Sequence, residues 1–124
     1  MKKFAEKLRA VEREMSEEKG RFLLFALFLR QDAPGLWDLL VSAPWVEANK
    51  GDALRYVVPK VKAAATDEEF SRLSRIAIIE GTQPALSAVQ SAFNIEHGLV
   101  EIQRSNFFGL QIDHAFIITS RREA

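Results

Sequence analysis

Apolar positions near the start of the chain recur at Phe4, Leu8, Val11 and Met15, and charged residues fill most of the positions between them. That spacing puts the four on one narrow stripe of a helix over residues 2–19. Two apolar positions in seven is the seam pattern of a coiled coil or of a helix laid on a partner. Phe4, Leu8, Val11 and Met15 are therefore candidate interface residues, and packing against the chain's own domain is the alternative. Gly20 is placed to cap the helix.

Residues 22–29 are unbroken in apolarity and end at Arg30. Propensity alone allows a helix there, because no residue in the run is β-branched. The neighbours favour a strand. Ala33-Pro34-Gly35-Leu36 puts Pro and Gly at the two central positions of a type II turn. A second strand-length run, Leu36 to Ala43, follows it. Two apolar runs around a Pro-Gly turn predict a hairpin whose strands are covered on both faces. Pro44 ends the second strand, since it has no donor for a ladder.

Leu54, Val57, Val58, Val61 and Ala65 then follow a helical period, with Pro59 inside it as a kink or a break. Thr66-Asp67-Glu68-Glu69 is a capping box and starts a fresh helix at 67. Arg75 to Glu80 reads as a short strand. Pro84, Leu86, Val89 and Phe93 mark a short helix. Leu99 to Arg104 and Leu110 to Ser120 read as two more strands, joined through Ser105 to Gly109. The pattern predicts an α+β fold formed by residues 1–124 as one domain. Its sheet has about five mostly antiparallel strands, two hairpins plus one central strand, covered by helices and preceded by the N-terminal amphipathic helix.

Composition narrows the functions available. The 17 basic and 17 acidic residues balance, which argues against a dedicated nucleic-acid binder. Arg104, Arg121 and Arg122 with Lys2 and Lys3 would make at most a weak basic patch. No cysteine is present, so disulfides, thiolate catalysis and cysteine-type zinc sites are excluded. The longest apolar run is far short of the roughly 20 residues that span a bilayer. The Met1-Lys2-Lys3 start is followed by charges rather than an apolar stretch, unlike a secretory signal. The expectation is a cytoplasmic protein with no membrane association.

None of the nucleotide-binding, hydrolase, zinc-protease or calcium-loop signatures occurs. Asp38 stands out because it shares a strand face with Leu36 and Leu40, where a carboxylate is costly without a partner. With Glu80 and Asp113 it would form a carboxylate cluster for Mg²⁺, as in a nuclease or nucleotidyltransferase. Against this, the position two residues before Asp38 is Leu36, not a second acid. The plainer reading pairs Asp38 with Arg30 or Arg75. His114 alternates with Leu110, Ile112, Phe116 and Ile118 and so points to the core face, either as a general base or proton switch or as a hydrogen-bonded structural imidazole. His97, before Gly98, reads as a solvated turn residue. Trp45 after a strand end, and Phe107 and Phe108 at a hairpin tip, are candidate binding residues.

The leading expectation is a small interaction or regulatory protein without catalysis or cofactor, acting as a homodimer or with another protein. One alternative is a Mg²⁺-dependent phosphodiester enzyme using Asp38, Glu80 and Asp113. The other is a small-ligand-binding domain with an apolar pocket on the helix-free face of the sheet, anchored by His114.

Overall fold

The computed structural model describes residues 1–30, 32, 34–107 and 110–123, and the side chains of these except 30, 105–107 and 110–112. Along the chain run α1 (Lys2–Lys19), β1 (Leu24–Arg30), β2 (Trp37–Ser42), α2 (Pro44–Ala48) and α3 (Lys50–Ala64). They are followed by α4 (Asp67–Ser71), β3 (Leu73–Ile78), α5 (Pro84–Ala92), β4 (Val100–Phe107) and β5 (Leu110–Ser120). The strands form one sheet in the order β3-β2-β1-β5-β4. The hairpin pairs and the β1–β5 contact are antiparallel, and β2 and β3 are parallel. This is the α+β arrangement predicted, with a mixed sheet.

The segment at 22–30 is a strand, and its two-sided apolarity has a direct cause. Phe25 and Leu27 join one core with Trp37, Leu39, Val41, Phe116 and Ile118, under Phe4, Leu8 and Met15 of α1 and Val57 and Val61 of α3. Leu24, Ala26 and Phe28 face the other way, into a second core with Leu40, Ala115, Ile117 and Leu86 and Val89 of α5. A strand between two cores has no polar face to present. Gly35 adopts φ +79°, the positive value that the third residue of a type II turn requires.

The lone strand is a correction. It lies at the edge of the sheet rather than the centre, beside β2 only. Ser74 and Arg75 are exposed, and the isoleucines reach partial burial alone. An edge strand tolerates such polar positions, and a charge there discourages pairing with other chains. It also starts earlier than expected, at Leu73, because the Trp37 N–H donates to the Arg72 carbonyl at 2.8 Å and draws the segment into register.

Local signals elsewhere match. Asn49 caps α3 by accepting from the Asp52 N–H at 3.1 Å. Thr66 and Glu69 complete the capping box through bonds of 3.1 and 2.9 Å. Pro59 lies inside α3, which runs on as one helix. Pro44 does more than stop β2: it opens the short helix α2. Strand β4 continues to Phe107, beyond the Arg104 expected. Among the described residues no helix is long and apolar enough to cross a membrane.

Candidate functional site

Strand alternation sends Trp37 of β2 and His114 and Phe116 of β5 to the same side of the sheet as α1. Their rings form a contiguous wall. The His114 ring centre is 4.7 Å from Phe116 and 5.5 Å from Trp37, and Trp37 stacks on Phe116 at 5.7 Å and 28°. Beside the wall is an open cleft of about 680 Å³, bounded also by Leu29, Gly35, Met1, Lys2, Arg72 and Glu101. That size falls within the range of small-molecule pockets.

Strand β4 supplies the partner of the imidazole. Gln103 is opposite His114 and Glu101 opposite Phe116, so Glu101 reaches His114 along the cross-strand diagonal. Its Oε2 is 2.6 Å from His114 Nε2. This hydrogen bond is the main cause holding the Glu101 carboxyl below its ordinary value; partial burial opposes it, and the charges of His114 and Lys2 assist. With Nε2 committed to Glu101, Nδ1 is the ring nitrogen left for another partner. His114 thus lies on the expected face, half-buried at a rim rather than in the core. The pocket is not on a helix-free face: α5 covers the opposite side, and the cleft opens at one end of the face bearing α1.

The carboxylate cluster does not assemble. Asp38, 3% exposed, faces the α5 side and lies 3.3 Å from Arg75 Nη2, its neighbour in register on β3. Glu80 follows the end of β3, five residues beyond Arg75, which is about 16 Å along a strand. It pairs with Lys50 at 2.6 Å. Asp113 is exposed on β5, two strands from β2. Among the described residues no three His, Cys, Asp or Glu side chains gather around one point.

The stripe expected at an interface is filled from within the chain. Phe4, Leu8 and Met15 are fully buried in the core they share with the sheet and α3, and Val11 packs at its margin. Trp45 is likewise anchored internally. Its Nε1–H donates to the Gly20 carbonyl at 2.8 Å, and its ring meets Phe22 and Tyr56 edge-on. A groove of about 410 Å³ lies beside it, lined in part by Lys19, Arg21 and Arg121. Phe108, and the side chain of Phe107, lie outside the described residues.

His97 is not a solvated turn residue. Its Nδ1 lies 2.6 and 2.7 Å from the two carboxylate oxygens of Glu12, which is 0% exposed. The Thr119 hydroxyl donates to Glu12 at 3.1 Å and accepts the His97 N–H at 3.2 Å. Arg9 Nε donates to the His97 carbonyl at 2.6 Å. Arg21 grips Glu96 with two bonds of 2.8 Å. The network ties α1 to β5 and to the loop before β4. A signal for it was present: Glu12 lies four residues after Leu8 and three before Met15, on the apolar stripe itself.

Comparison with family models, with curated proteins and with solved structures finds no match to this chain.

Proposed function

We propose that this chain is a small-ligand-binding domain and that the cleft beside His114 is its site. The observation that carries the reading is the imidazole itself. Glu101 orients it, aromatic rings flank it, and its Nδ1 makes no hydrogen bond among the described residues. A fixed polar anchor beside an apolar wall is the ordinary make-up of a ligand pocket. Trp37 and Phe116 are 5% and 1% exposed, so the rings that hold His114 are already packed and the imidazole is the aromatic surface open to a ligand. A ligand therefore meets a preformed surface and loses little affinity to ordering it. The features that suggested a protein-interaction role, the α1 stripe and Trp45, are engaged inside the chain.

The test is a titration of ¹⁵N-labelled protein with a library of small planar fragments, read by amide, indole and imidazole resonances. The reading expects shifts that cluster at Trp37, Glu101 and His114, and their loss in His114→Ala. Fragments that leave these resonances unmoved, or that shift only the surroundings of Trp45, overturn it.

A further inference from the structure

Resting on that reading of the cleft, we infer that its ligand is a planar anion, an aromatic carboxylate in the simplest case, with its ring against His114 and its charge toward Lys2 and Arg72. The side chains of the lining include two full cations, Lys2 and Arg72, and one acid, Glu101. Glu101 is already engaged by His114 at 2.6 Å, so it is not free to receive a cationic ligand. Among the described residues Arg72 has one ion pair, with Glu68 one helical turn before it, and both side chains are more than half exposed. Such a pair is worth little and is readily exchanged for a ligand carboxylate, which Arg can hold with two parallel bonds. Lys2 is exposed and stands near enough to Glu101 to act on its titration.

Shape follows from the other wall. The Trp37 and Phe116 rings are near parallel, and His114 tilts against both. Trp37 and Phe116 are themselves 5% and 1% exposed, so the part of this surface that a flat ligand can reach is the partly exposed His114 ring, by offset stacking or edge-to-face contact. Discrimination between a neutral and an anionic ring then falls to the two cationic side chains that line the same cleft. The selectivity expected is for charge sign first and ring size second.

The experiment compares three probes with one ring system: 2-naphthoate, 2-naphthamide and 2-naphthamidine. Binding is followed on the His114 and Trp37 resonances of the full chain. The inference expects 2-naphthoate to bind about tenfold or more tighter than 2-naphthamidine, by the usual arithmetic of one charge-assisted contact. It expects Lys2→Ala and Arg72→Ala, both at exposed positions, each to weaken 2-naphthoate by about three- to tenfold while 2-naphthamide is unchanged. Added salt should weaken only 2-naphthoate. If amide and amidine bind at His114 as well as the carboxylate does, and the two substitutions change nothing, the anion preference is overturned and the ligand-binding reading stands. If none of the three moves the His114 resonances, both fall. If 2-naphthoate binds instead at the Trp45 groove with Lys19 and Arg121, the assignment of the site is overturned.

Discussion

Glu12 in α1 and His97 in the loop before β4 are 85 residues apart in sequence, and their side chains meet at 2.6 Å. The carboxylate is fully buried, and Thr119 supplies its other partner. A buried charge held in this way costs the fold little while all partners are present and a great deal when one is removed. His97→Ala should therefore destabilise the protein by about 3 kcal/mol, because Glu12 is left with only the Thr119 hydroxyl. Combining it with Glu12→Leu should recover part of that loss. Urea denaturation of the two single variants and the double checks this; additive losses would show that the two side chains do not depend on one another.

The same pair sets a pH dependence. Burial pushes the Glu12 carboxyl above its ordinary value of 4.5, against the opposing pull of His97 and Thr119. Between that ordinary value and the raised one, the folded state keeps a proton that the unfolded chain has released. The stabilising contribution of Glu12 is complete below pH 4.5 and is lost as pH rises through its folded value. Glu96 works in the opposite sense: its hydrogen bonds from Arg21 hold its carboxyl down, so its contribution is present above the ordinary value and is lost as pH falls. Glu12→Gln removes only the first effect. Its stability relative to the parent should rise between pH 4.5 and neutrality, as measured by calorimetry. A gap that stays constant or narrows contradicts the assignment.

Helix α1 is part of the core rather than an appendage. Leu8→Ala should cost about 2–5 kcal/mol, as for other fully buried leucines. Deleting residues 1–19 strips Phe4, Leu8 and Met15 from the sheet and exposes Phe25, Leu27 and Phe116 beneath them. The truncated chain should lose its cooperative unfolding transition instead of forming a folded, smaller protein. Light scattering with circular dichroism separates the outcomes, and a folded truncated monomer would contradict the packing.

Gly20 joins α1 to the sheet at φ +133°, and a Cβ there would come within 3.0 Å of Trp45 Cδ1. Its carbonyl also accepts the Trp45 indole N–H. Gly20→Ala should cost about 1–3 kcal/mol through backbone strain, and should shift the Trp45 indole resonance. Trp45→Phe keeps most of the ring packing and should cost only about 1 kcal/mol for the lost hydrogen bond. Equal and negligible effects from both would remove the seat assigned to Trp45.

Much of the architecture is legible one element at a time. The spacing of Phe4, Leu8 and Met15 specifies both α1 and its buried face. Thr66 and Glu69 mark the start of α4, and Pro34 with Gly35 marks the β1–β2 turn. The site was legible only in part. Alternation along β5 puts His114 beside Phe116, but nothing local to 114 indicates that Glu101 will orient it or that Trp37 will complete the wall. Asp38 was conspicuous for its burial, and the structure gives it Arg75 rather than Glu80 and Asp113.

The division has a physical reason. Dihedral preference, capping and turn chemistry act within about four residues, and the period of apolar positions tells which face each element must bury. These alone determined that the chain forms five strands and a leading amphipathic helix around apolar cores. Strand order, and with it every contact between distant side chains, depends on which buried faces fit against one another. Only the tertiary structure decided that β3 takes the edge, that α1 covers the β1–β5 side, and that Glu12 meets His97. The His114 cleft is a product of the same decision, because its lining comes from the start of α1, from β1 and β2, from the end of α4, and from β4 and β5, and no single stretch of sequence contains it.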